Sequence, residues 1–241
     1  MEEYFKILKE KLDKVLADIK IKPIYNKIAN FFARAYNKSY NFLNRAGTYL
    51  GKKGVSANMV SWIGFAIGML AVNFLAMEKY GLALFCILLN RFCDGLDGAI
   101  ARSTKITDFG VFLDATLDYI FYGGIILGFA LANPVENSAS ACYLYFGFVA
   151  AACAMLAYSV IAFKNNSKQQ LNLDHSPFYL GGAVQGSETL VSLVLLCLFP
   201  GWFKVIAIIL GSFSLVKAFS VIVAAYYNFV IVPYGKNKSD K

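Results

Sequence analysis

Hydrophobic and polar positions change their pattern near residue 57. Before it, Phe5, Leu8, Leu12, Val15 and Ile19 recur at steps of three and four, which predicts one apolar stripe along a helix. Pro23 interrupts the stripe, and a second amphipathic stretch sets Ile24, Ile28, Phe31 and Phe32 among Lys27, Arg34 and Lys38. A striped basic helix of this kind lies on lipid headgroups or packs on a partner helix. A solvated arm with little fixed structure is the competing reading. Beyond residue 57 the stripe gives way to six apolar runs, roughly 57–77, 80–102, 108–132, 139–163, 179–199 and 203–232, joined by short connections. A helix needs about 20 residues to cross the hydrocarbon of a bilayer. The expected fold is therefore an all-α integral membrane protein. It comprises an N-terminal amphipathic helical arm over 1–56, a six-transmembrane-helix bundle over 57–232 and a basic tail over 233–241.

Basic residues orient this bundle. The arm ends in Lys52 and Lys53, the second connection carries Arg102 and Lys105, the fourth Lys164 and Lys168, and the tail Lys236, Lys238 and Lys241. The intervening connections hold one lysine, none and one. That alternation predicts both termini in the cytoplasm. Composition agrees: 58% of residues are apolar, above the roughly 45–50% of soluble domains. The net charge of +8 sits beside the spans, which points to an anionic membrane surface rather than nucleic acid as its partner. The first twenty residues are charged throughout and lack the apolar core of a cleavable signal. The five cysteines lie in apolar runs without a C-x-x-C pair, and the one histidine, His175, sits in a polar segment. Redox and zinc chemistry are not expected.

Four aspartates break the apolar pattern. Asp94 and Asp97 are three apart, Asp114 and Asp118 four apart, so each pair shares a helix face. Counted inward at about 1.5 Å per residue, Asp97 and Asp94 lie about 8 and 12 Å in, and Asp114 and Asp118 about 9 and 15 Å in. Two antiparallel helices joined by a short turn can bring all four to one pocket at the cytoplasmic side. A carboxylate at the bilayer centre costs about 2.5–3.5 kcal/mol, so four uncompensated ones cost on the order of 10 kcal/mol. Arg102 is the one basic side chain expected beside them. Hard divalent ions would neutralise the rest, and all-oxygen ligands suit Mg²⁺, Mn²⁺ or Ca²⁺. Two ions would balance four carboxylates and suit a diphosphate. Gly95, Gly98, Ala99 and Ala101 thin the helix beside the acids, either for helix packing or to admit a flat ligand.

These residues resemble the CDP-alcohol phosphatidyltransferases. That family carries D-x-x-D-G-x-x-A-R, seven or eight residues, then G-x-x-x-D-x-x-x-D. Asp94, Asp97, Gly98, Ala101, Arg102, Gly110, Asp114 and Asp118 occupy its fixed positions with a spacer of seven. The approach to the first span resembles the family's P-N-x-x-T, with Ala57 for the proline, Asn58 retained and Ser61 for the threonine. The resemblance implies a six-span enzyme that moves a phosphatidyl group from a CDP-linked lipid to a hydroxyl and releases CMP. It implies Asp94, Asp97, Asp114 and Asp118 around two Mg²⁺ or Mn²⁺ ions, and Gly98, Ala101, Arg102 and Thr107 in the CDP-lipid site. It further implies Asp118 as the base that takes the acceptor's proton, and a homodimer in a bacterial inner membrane.

The expected acceptor is a small polar alcohol, and the resemblance favours glycerol 3-phosphate over inositol phosphate, serine or choline-type acceptors. A phosphorylated acceptor needs cations, and Lys105, Lys164 and Lys217 are the candidates. Lys217 and Glu188 have a second reading as an intramembrane ion pair, and Tyr119, Tyr122 and Gln185 are placed for packing or for substrate. A different class, a divalent-cation transporter, would use the same acids as an ion path, but no inverted repeat accompanies them.

Overall fold

The computed structural model describes residues 40–164 and 187–231. The stripes before residue 40, His175, Gln185 and the tail lie outside the described residues. What is described is helical throughout: α1 (40–52), α2 (Ala57–Ala76), α3 (Tyr80–Ser103), α4 (Asp108–Ala132), α5 (Pro134–Lys164), α6 (Ser187–Leu198) and α7 (Phe203–Tyr226). A 3₁₀ turn, Pro200–Trp202, precedes α7, and a π turn, Tyr227–Ile231, follows it.

Local chemistry sets the ends. α1 stops where Gly54 takes φ 81°, a left-handed conformation open to glycine at little cost. There the Gly54 N–H donates to Gly51 O (3.0 Å) and the Val55 N–H to Leu50 O (3.1 Å), the paired bonds of a Schellman stop. α2 ends the same way through Glu78 at φ 58°, with Glu78 N–H to Leu75 O at 2.9 Å and Lys79 N–H to Phe74 O at 2.8 Å. Thr107 caps α4: its Oγ1 accepts the Gly110 N–H at 3.1 Å. Asn133 caps α5, accepting the Glu136 N–H at 3.3 Å, and Pro134 follows in the first turn, where its missing N–H costs nothing. The fourth span therefore begins at Pro134 and not at 139, because an Asn-Pro cap starts a helix before its side chains become apolar.

Four described stretches are long and apolar enough to cross a membrane: Ala57–Ala76, Asp108–Ala132, Pro134–Ala162 and Pro200–Val230. α3 has the length, 24 residues, but carries Arg91, Asp94, Asp97 and Arg102. α6 is described over 12 residues, the C-terminal part of the expected fifth span. The elements among the described residues are thus all helical, and the chain is a multi-pass membrane protein.

Contacts divide the described chain into two units, 40–60 with 94–111, and 61–93 with 112–164 and 187–231. In the first, α1 lies against the C-terminal part of α3. A Cβ on Gly47 would stand 2.6 Å from Ala99 Cβ, so only glycine permits that approach. Leu43 covers Gly95 in the same seam, which assigns Gly95 and Ala99 to helix packing. In the second, the buried core joins Leu75 of α2, Ile87 of α3, Phe121, Ile125 and Phe129 of α4, Leu144 of α5, Leu196 of α6 and Phe203 and Ala207 of α7. α5 and α7 pack along one another. Their backbones meet at Gly147 and Gly211, where a Cβ on Gly147 would stand 2.5 Å from Gly211 O.

Candidate active site

α3 presents Asp94 and Asp97 one turn apart, and α4 presents Asp114. One carboxylate oxygen from each of these three lies within 4.8 Å of the others. Asp97 is buried, Asp94 half-buried and Asp114 exposed. Oxygens about 2.0–2.6 Å from a shared cation stand at most about 4–5 Å apart, so the spacing suits one hard divalent ion. The donor set, carboxylate only, suits Mg²⁺ or Mn²⁺ over zinc.

Asp118, the fourth acid, meets a different partner. Its Oδ1 accepts from Arg91 Nη2 at 2.7 Å. This corrects the expectation that Arg102 alone would stand beside the acids. Arg91 occupies the middle of α3, three residues before Asp94 and so on the same face. A charge at that depth is itself a functional signal. Its place outside the acidic signature, among apolar neighbours, hides it from the motif.

Arg102 is exposed, its Nη2 donating to Asn44 Oδ1 at 3.2 Å and its guanidinium 5.5 Å from the Tyr40 ring centre. Gly98 lies one turn before it. A Cβ there would stand 3.2 Å from Arg102 Nη1, so the glycine leaves room for the guanidinium. Ala101 is half-buried beside it in sequence. Thr107, besides capping α4, faces Asn58 across Gly110: a Cβ on Gly110 would stand 3.0 Å from Thr107 Oγ1 and 3.2 Å from Asn58 Oδ1. Asn58 thus keeps a place beside the signature glycine although its neighbours depart from the family pattern.

The three lysines are not gathered by any bond. Lys105 and Lys164 are exposed and Lys217 half-buried. None of them makes an ion pair or hydrogen bond among the described residues. The Glu188 side chain lies outside the described ones, and with it the reading of a Glu188–Lys217 pair. The Tyr122 hydroxyl accepts from Arg91 Nη1 at 3.2 Å, while Tyr119 packs on Phe148 at 5.5 Å between ring centres. None of the five cysteines forms a disulfide.

Residues 55–216 match the family described as CDP-alcohol phosphatidyltransferase. The inner membrane protein YnjF of Escherichia coli is 40% identical over 184 residues, which are 76% of this chain and 89% of that protein. The archaetidylinositol phosphate synthase of Pyrococcus horikoshii is 38% identical over 95 residues, 39% of this chain and 50% of that protein. An uncharacterized protein of Aquifex aeolicus is 39% identical over 71 residues, 29% of this chain and 36% of its own length.

Proposed function

The chain belongs to the CDP-alcohol phosphatidyltransferase family, and on that premise we propose that it moves a phosphatidyl group from a CDP-linked lipid, CDP-diacylglycerol in the first instance, to the hydroxyl of a small polar alcohol. The observation that carries the reading is the meeting of the Asp94, Asp97 and Asp114 carboxylates within 4.8 Å. These acids, with Asp118 completing the set, would hold two Mg²⁺ or Mn²⁺ ions. When bound, the ions polarise the diphosphate and stabilise the charge that develops on departing CMP. Arg102, with Gly98, Ala101 and Thr107, binds the CDP portion of the donor. Asp118 accepts the acceptor's hydroxyl proton through the oxygen that Arg91 does not hold.

Glycerol 3-phosphate is the proposed acceptor, with Lys105, Lys164 and Lys217 the cations offered to its phosphate. The name of the Pyrococcus relative denotes an inositol-phosphate lipid as product, which supports a phosphorylated acceptor. Six spans form the proposed bundle, with both termini and the site at the cytoplasmic face of a bacterial inner membrane. A homodimer is the proposed working state, which a native mass measurement in lipid nanodiscs reads directly.

The test is CMP release by purified protein from CDP-diacylglycerol, with glycerol 3-phosphate, inositol phosphate, inositol, serine, choline and ethanolamine offered in turn. Release is expected with a phosphorylated acceptor and to fall to background on chelation. Full turnover in metal-free buffer defeats the ion reading, and release with serine or neutral alcohols alone defeats the phosphate-acceptor reading. Cation flux without nucleotide dependence would favour the transporter.

A further inference from the structure

Arg91 is held more tightly than a lone intramembrane cation needs to be. Its Nε and Nη2 donate to Asn90 Oδ1 at 2.9 and 2.7 Å, Nη2 also donates to Asp118 Oδ1 at 2.7 Å, and Nη1 lies 3.2 Å from the Tyr122 hydroxyl. Its guanidinium carbon sits 4.7 Å from the Phe121 ring centre and 5.2 Å from that of Tyr122. Asn90, buried, is anchored in turn: its Nδ2 donates to Gly64 O of α2 at 2.9 Å. Gly68, one turn on, leaves the space that Asn90 and Phe121 fill, since a Cβ there would stand 2.9 Å from Asn90 Nδ2 and 2.7 Å from Phe121. Three helices thereby fix one planar fork, and the fork grips one oxygen of Asp118.

The grip is one-sided. Asp118 Oδ2 has no hydrogen-bond or ionic partner among the described residues, and the side chain is 35% exposed against 14% for Arg91. The bond to Arg91 fixes the carboxylate through one oxygen and leaves the other on a partly exposed side chain, open to the ions and the acceptor hydroxyl of the proposed reaction. We propose that Arg91 is a positioning residue for the transfer: it immobilises Asp118 through Oδ1 so that Oδ2 is presented to the acceptor hydroxyl. The inference rests on the reading of Asp118 as the base. In that step the hydroxyl proton passes to Oδ2, and the alcohol oxygen bonds to the lipid-bearing phosphorus. The bond from that phosphorus to the bridging oxygen breaks, and its electron pair leaves with CMP. Asp118 then returns the proton to water. Lysine cannot replace Arg91 fully, because a point ammonium lacks the planar fork that spans Asn90 and Asp118 together.

The experiment compares Arg91→Met, Arg91→Lys and Asn90→Ala with wild type in nanodiscs, reading kcat, acceptor KM, CDP-lipid affinity by direct binding, and thermal unfolding. A base displaced by about 1 Å costs about 100-fold, so Arg91→Met should lose about that much in kcat with acceptor KM and donor affinity within about threefold of wild type. Arg91→Lys should recover part of the loss, and Asn90→Ala should lose about tenfold in kcat with the same KM pattern. An unchanged kcat in Arg91→Met overturns the proposal. So does a raised acceptor KM with kcat intact, which would make Arg91 a substrate ligand. If Arg91→Met does not fold, Asn90→Ala and Arg91→Lys decide: normal kcat in both overturns the proposal. A wild type that releases no CMP with any acceptor defeats the transferase reading itself, a result distinct from either.

Discussion

Two of the polar contacts that join elements of the larger unit differ in kind. Asn228 Nδ2 donates to the Tyr158 hydroxyl at 3.0 Å, both residues are buried, and Phe229 stacks on Tyr158 at 4.9 Å. That contact is neutral and closed to solvent on both sides. Arg91 and Asp118 are charged, and the acid is partly open. An interhelical hydrogen bond in a membrane contributes about 0.6–2 kcal/mol, which suits the first contact as glue between α5 and the π turn after α7. An ion pair gains little against its desolvation cost, so the second contact is weak evidence for stability, and on the proposed reading Asp118 serves the transfer. Charge and exposure separate the two: Asn228 and Tyr158 are neutral and buried, whereas Asp118 is charged and 35% exposed.

The largest break in this comparison comes from Asp118→Asn. Neutralising the base should cut CMP release by about 10³-fold, while Tyr158→Phe, which removes only a hydroxyl in the closed contact, should leave turnover within about twofold. Near-normal turnover of Asp118→Asn would remove the base assignment and the distinction with it. Next in size is packing: Gly211→Leu, whose Cβ would stand 2.8 Å from the Tyr143 ring and 3.2 Å from Leu144 Cα, should force α5 and α7 apart and lower stability by about 1–3 kcal/mol, with residual activity tracking the folded fraction. A melting temperature equal to wild type would mean that the backbones do not meet there. The smallest effect sharpens the comparison from the other side. Asn228→Ala should cost about 0.6–2 kcal/mol of stability with kcat unchanged, read by thermal unfolding beside a turnover assay. A selective fall in kcat would make the closed contact part of the catalytic machinery.

Much of the fold was legible in order along the chain, because helix formation and membrane crossing are decided by short windows. The starts and stops of α2 and α4 follow the apolar runs closely. α5 began earlier than its hydropathy because Asn133 and Pro134 form a helix cap independently of lipid. The acids were legible too, since four charges in apolar helices at helical spacing demand a common explanation, and Asp94, Asp97 and Asp114 do meet. Arg91 was legible in the same way, since a cation midway along a span is as costly as an acid there, but its partner was not. The roles of Asn44, Tyr40 and Asn58 beside Arg102 and Gly110 were out of reach, because each depends on contacts between residues 50 or more positions apart.

By itself the sequence determined that the chain is helical and membrane-spanning, and which faces of α3 and α4 carry the acids. Those properties follow from residue type and from the 3.6-residue turn, which act within one helix. It also determined the family, through a signature of 25 residues with set spacing. Only the tertiary structure decided which cation answers which carboxylate. Arg91 reaches Asp118 because Gly64 and Gly68 let α2 lie close enough to anchor Asn90, and because Phe121 and Tyr122 of α4 flank the guanidinium. The rotation and approach of three helices settle that choice, and they depend on side-chain shape at residues 26 to 53 positions apart in the chain rather than on any local pattern.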